Sequence, residues 1–127
     1  MAYRFSKHYT REEATALLPQ VRAWLREVNE FREQLVRHDR KLSGLRGGGE
    51  DLGGNLVGEW IKVIADLKAV LDEFQRREIF IKDVERGLLD FPALMGGKEV
   101  FLCWEQDEPA VEFWHDLDAG FAGREPL

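Results

Sequence analysis

At 127 residues, 44% hydrophobic and 33% charged, the chain has the size and polarity of one globular domain, neither disordered nor membrane-embedded. No apolar run approaches the ~20 residues that cross a bilayer, and the charged opening MAYRFSKHYTREE offers no apolar core for a secretory signal. Cys103 is the single cysteine, which excludes an internal disulfide or a thiolate zinc cluster and predicts a reducing, cytoplasmic setting.

The net charge of −6 is unevenly spread. Residues 99–127 carry eight acids against Arg124 alone, whereas residues 1–98 sum to +1. An acidic end without a basic stripe argues against nucleic-acid binding. It is expected to be a solvated surface, open to a basic protein partner or a small cationic ligand.

Thr10 and Glu13 form a Thr-x-x-Glu capping box, with Tyr9 and Ala14 placed as its apolar staple. From Ala14 the apolar register runs Leu17/Leu18, Val21, Trp24/Leu25, Val28, Phe31, Leu35 and Leu42, in steps of three and four that mark one helix face. This predicts a helix over about 11–42. Pro19 falls inside it, and because the stripe stays in phase across the proline a kink is expected rather than an end.

Residues 43–54 hold six glycines and end the helix. The segment lacks the Lys-Ser/Thr pair of a phosphate-binding loop, and a helix rather than a strand precedes it, so it reads as a hairpin connection. Asn55 caps a second helix over about 56–78, with the stripe Leu56/Val57, Trp60, Val63/Ile64, Leu67, Val70/Leu71, Phe74. Two such helices make an antiparallel hairpin spanning about 11–78. The first is longer than one small domain needs, which predicts a homodimer through the helices.

After Glu78 the period changes, and Ile79–Ile81 reads as either a helix end or a short strand. From Gly87 the pattern alternates as strands do. Gly96-Gly97 between apolar runs marks a tight hairpin, because both central residues take positive φ. That turn sets Asp90 opposite Cys103 and Phe91 opposite Leu102. A second turn around Asp107-Glu108-Pro109 completes a three-stranded antiparallel meander over about 87–115, with 116–127 as a tail. The choice of one fully apolar face then puts Leu89, Phe91, Ala93, Val100, Leu102, Trp104, Val111, Phe113 and His115 toward the helices. Asp90, Pro92, Leu94, Glu99, Phe101, Cys103, Glu112 and Trp114 share the opposite, mixed face. The fold class is α+β in a single domain.

Several segments in order (EEATALLP at 12–19, GLLDFP at 87–92, VFLCW at 100–104, Glu108, Trp114-His115 and GFAGR at 120–124) resemble a small bacterial family known as domain of unknown function 2203. The resemblance covers nearly the whole chain. It implies no activity, but it directs attention to Asp90, Cys103, Trp104, Glu108, Trp114, His115 and Arg124.

No catalytic motif is legible. In this register Cys103 lies between Asp90 and Glu112, which oppose thiolate formation, with His115 on the other face, so it reads as a packing cysteine. Asp90, Cys103 and Glu112 would stand ~5 Å apart across three strands, with Glu108 or Asp107 nearby. Two carboxylates and a thiol suit a divalent cation, although no paired-histidine or CxxC spacing accompanies them. No cofactor is therefore expected, a divalent metal being the alternative. His115 reads as a hydrogen-bonded edge residue and Trp114 as an exposed aromatic on a partner surface. The function expected is self-association and interaction without catalysis. The alternative is a small metal- or metabolite-binding protein, or an enzyme, with a site among Asp90, Cys103, Glu108, Glu112, Trp114 and His115.

Overall fold

Thr10 and Glu13 open the first helix with reciprocal bonds: the Glu13 amide donates to Thr10 Oγ1 and the Thr10 amide to Glu13 Oε1, each at 3.0 Å. In the computed structural model, which describes residues 2–44 and 54–127, helix α1 spans Arg11–Gly44 and α2 spans Gly54–Arg76. The first helix passes Pro19 as one element. The glycine-rich loop expected at 43–54 lies, apart from its ends, outside the described residues. Trp24 meets Phe74 edge-on and His38 reaches Glu59, so the helices run antiparallel. Among the described residues, no helix is long and apolar enough to cross a membrane.

Burial along the hairpin is uneven. On α1 the buried positions are Ala14, Leu18, Val21, Leu25 and Val28; on α2 they are Val63, Val70 and Phe74. At 1.5 Å per residue α1 extends about 51 Å, yet full burial stops at Val28. The rest of the hairpin has little but itself to pack on.

Five strands follow, two more than expected: β1 (Phe80–Asp83), β2 (Leu88–Met95), β3 (Lys98–Trp104), β4 (Phe113–Asp116) and β5 (Glu125–Pro126). They pair in chain order, all antiparallel. β1 overlaps Ile79–Ile81, which the sequence left between a helix end and a short strand, and β5 was illegible because two residues are too few to show a period. Residues 116–127 are accordingly no loose tail: they make a 3-10 turn at Phe121–Gly123 and then β5. The Gly96-Gly97 turn is as expected, with φ of 59° and 82° closing Met95 on Lys98.

The pairing of β2 with β3 matches the expected register, Asp90 opposite Cys103 and Phe91 opposite Leu102. Leu89, Phe91, Ala93, Val100, Leu102 and Trp104 join the helix core, as does Val111. The β3–β4 register is one residue off the expected phase: Phe101 faces His115, Leu102 faces Trp114 and Cys103 faces Phe113. Trp114 thus packs on the helix core, while Phe113 and His115 turn to the other face. The cause is Val111, which belongs to no strand. Its amide donates to Thr15 Oγ1 and its carbonyl accepts from Arg11 Nε, so it is tied to α1 and the count of two breaks after it.

The second face is not a mixed open surface either. Residues 2–8 cross it as a strap, with Phe5 against Phe80 and Phe101, before Tyr9 joins the helix core. Two carboxylates hold the strap. Glu99 accepts from the Arg4 and Phe5 amides and contacts His8 Nε2 at 2.8 Å. Glu78 accepts from the Ser6 and Lys7 amides. Glu78 itself sits at φ 56°, a left-handed position costing about 1–2 kcal/mol without glycine, and these bonds offset that cost. Burial pushes the Glu99 carboxyl up, but the bonds from His8, Arg4 and Phe5 outweigh it and hold the group below its ordinary 4.5. The Ser6 bond, together with the two amides, does the same for Glu78. A depressed carboxylate contributes stability that is present above its unfolded value and lost as pH falls through its folded one. The exchange protection of the amides of residues 4–7, taken against the intrinsic rate at each pH, should therefore fall on acidification below about pH 4.5, ahead of that of the amides of β2 and β3. Uniform protection down to global unfolding would show that the strap does not depend on these carboxylates.

Candidate functional site

Three polar side chains meet on the second face of the sheet. Asp90 on β2 and Cys103 on β3 are direct cross-strand partners, and His115 on β4 lies diagonally beyond. The small cysteine lets Asp90 and His115, two strands and ~10 Å apart at the backbone, meet over β3. His115 Nε2 lies 2.9 Å from Asp90 Oδ1. All three residues are at least 97% buried, and one ligating atom from each lies within 4.8 Å of the others.

The hydrogen-bond chain sets the protonation of the histidine. His115 Nδ1 is 2.7 Å from the Asp116 carbonyl, an acceptor only, so Nδ1 carries a proton. Nε2 and Oδ1 would repel as bare lone pairs at 2.9 Å, so one further proton lies between them. Burial pushes the Asp90 carboxyl up, and the His115 bond, then Lys82 and Cys103, offset part of that rise. Burial, then the Asp90 charge, pushes the Cys103 thiol up to about 11, against the pull of Arg124. Cys103 is therefore a buried thiol and a poor free nucleophile.

Arg124 closes one side of this cluster. Its guanidinium lies 3.9 Å from the Phe113 ring centre and 4.3 Å from that of Phe121, and it grips the Glu108 carboxylate with two bonds of 3.1 and 2.7 Å. Glu108 also accepts from the Glu105 amide, and its carbonyl takes bonds from Arg22 and the Trp104 indole. Glu108 is thus the fastener of the β3–β4 turn. On the other side a cavity of about 190 Å³ adjoins Asp90, Cys103 and His115, and is bounded by Lys82, Leu117, Gly120 and Phe121.

Of the six residues singled out by sequence, the fold gathers Asp90, Cys103 and His115. It places Glu108 one side chain away through Arg124. Glu112 does not join them: it precedes β4, its carbonyl accepting from the Leu127 amide at the sheet edge. Trp114 faces the helices rather than a partner surface. Sequence reasoning passed over Lys82 and Phe121. Nothing in a lone lysine or a phenylalanine near the C-terminus signals a cavity wall.

A hairpin docked on a five-stranded meander, with a buried Asp-His-Cys cluster on the sheet face turned away from the helices, defines the chain as an α+β protein with one built polar site. The chain belongs to the family described as uncharacterized conserved protein DUF2203, whose model matches residues 7–127. The match takes in both helices, the whole sheet and the C-terminal turn. No curated protein and no solved structure matches the chain.

Proposed function

We propose that this is a self-associating interaction protein, two copies joining through α2 while the acidic sheet lobe is left to face a further partner. One observation carries the proposal. The doubled positions in the α2 stripe split into two seams. Val63, Val70 and Phe74 are buried toward α1. Val57, Ile61, Ile64 and Leu71 are each more than a third exposed, Ile61 at 56%. Their spacing of four, three and seven residues is that of a second heptad seam, roughly 21 Å long. Lys68 occupies the one polar position within it and pairs with Asp72 at 3.4 Å.

A heptad seam fits another helix, and one presented beside an intramolecular seam builds a four-helix bundle when two hairpins meet. The second copy is the occupant favoured here because the seam is central on α2 and a twofold axis across it pairs like with like. The length of α1 beyond Val28 supports the same reading, since a second hairpin would cover it.

Light scattering of the protein at micromolar concentration should give twice the chain mass. Ile61→Glu with Ile64→Glu should give the single mass, with a thermal midpoint for the domain little changed, because exposed substitutions usually stay within about 0.5 kcal/mol. A wild-type protein that runs at the single-chain mass up to ~100 µM, a dissociation constant too weak to matter, ends the proposal.

A further inference from the structure

We propose that Asp90 Oδ1, Cys103 Sγ and His115 Nε2 bind one divalent transition-metal ion, zinc being the best fit, with the remaining coordination position open to the cavity beside Lys82 and Phe121. The inference is independent of self-association: its residues lie on three strands and none belongs to the α2 seam.

The donor set is the first argument. Imidazole nitrogen, thiol sulfur and carboxylate oxygen are the three protein ligand types of zinc, and three protein ligands with an open fourth position describe a site that keeps water or a small ligand. The donors lie within 4.8 Å of one another. A tetrahedral zinc ion holds such atoms roughly 3.3–3.6 Å apart. The Asp90–His115 pair would therefore open slightly from 2.9 Å, and the widest pair would close by about an ångström.

The second argument is orientation. A ligating histidine characteristically donates its other ring N–H to a carbonyl or carboxylate, which fixes the tautomer that aims a lone pair at the metal. The His115 Nδ1–H donates to the Asp116 carbonyl and so leaves Nε2 as the nitrogen facing Asp90 and Cys103.

Charge balance is the third. Carboxylate and thiolate together neutralise a divalent ion held among buried side chains. The neighbouring cation Arg124 is already matched by Glu108 through two bonds, so it does not oppose the ion alone. Lys82 stands over the Phe80 and Phe101 rings at 5.6 and 5.5 Å on the cavity wall, where it favours an anionic fourth ligand such as hydroxide or a small carboxylate. Loading releases two protons, one from the Cys103 thiol and the one held between Asp90 and His115.

Untagged protein, stripped with a chelator and titrated with Co²⁺ as an optical stand-in for Zn²⁺, tests this. The expected result is one ion per chain, with thiolate-to-cobalt charge-transfer absorption and the intense d–d bands of four-coordination. Cys103→Ala keeps the Asp90–His115 bond and should fold. It should abolish the charge-transfer band and weaken Zn²⁺ binding by more than about 100-fold, since even the outer partners of metal ligands are worth about 10–100-fold. Excess Zn²⁺ should raise the thermal midpoint of the wild type and not of the variant. Absence of stoichiometric Co²⁺ binding, binding without thiolate absorption, or wild-type affinity in Cys103→Ala each overturns the proposal. Should Cys103→Ala not fold, the thiolate absorption of the wild-type protein decides alone.

Discussion

Truncating Trp104 to alanine is expected to lower the folding free energy by about 3–5 kcal/mol, the range for removing a large aromatic from a packed core. Trp104 has no exposed surface, lies under the Arg22 guanidinium at 5.2 Å and donates its indole N–H to the Glu108 carbonyl at 3.0 Å. Its loss opens a cavity between sheet and α1 and also frees the turn that Glu108 fastens. Glu112→Ala is the control. Its side chain makes no hydrogen bond or ion pair among the described residues, and the expected cost is well under ~1 kcal/mol. Urea denaturation of both variants at constant m-value gives the comparison. A larger cost for Glu112→Ala would mean that the inward face of β3 has been misassigned.

His115→Ala should cost a comparable ~3–5 kcal/mol by another mechanism, the stranding of a buried carboxyl group. Asp90 is 3% exposed, and His115 supplies its one nitrogen partner, at 2.9 Å. Without the ring Asp90 has Cys103 beside it and no strong donor. The double variant Asp90→Ala with His115→Ala should cost markedly less than the two single losses added, because the second deletion removes the group the first one strands. Simple additivity would place the two residues apart and return His115 to the helix face.

That expected coupling also shows where the sequence stopped being readable. The two helices followed from a 3.6-residue period sustained over 19 residues or more, and the β2–β3 hairpin from Gly96-Gly97 with alternating residues on both sides. The phase of β4 did not follow. Counting by twos from Val111 through Phe113 to His115 carries the alternation across a residue whose backbone is bonded to α1. The choice of one fully apolar face held for β2 and β3 but allowed for no paired polar groups on the other side. Asp90 is buried, and its partner is the one histidine of β4. An aspartate within LLDFP and a histidine within FWH are each out of place alone and satisfied together, and that pairing was the available signal. The second cover of the sheet was hidden for a different reason. The strap is held through main-chain amides of Arg4, Phe5, Ser6 and Lys7, which leave no trace in residue type. The exposed positions of α2 were read into one stripe with the buried ones, because Leu56/Val57, Val63/Ile64 and Val70/Leu71 straddle two faces of one helix, and Ile61 fell outside that stripe.

The strap also bears on the order in which the molecule is made. Its clasp, Glu99, lies 95 residues after Arg4, and the Trp104 that seals α1 comes later still. During vectorial synthesis at about 5–20 residues per second, the apolar face of α1 waits on the order of ten seconds for the sheet that covers it. In that interval α2 is the nearest shelter, and, on the proposal that copies join through α2, the seam of a neighbouring nascent chain on a polysome is the next. The same Val57–Leu71 surface proposed to join finished copies would then be the first to meet its like, pairing chains before either sheet has closed.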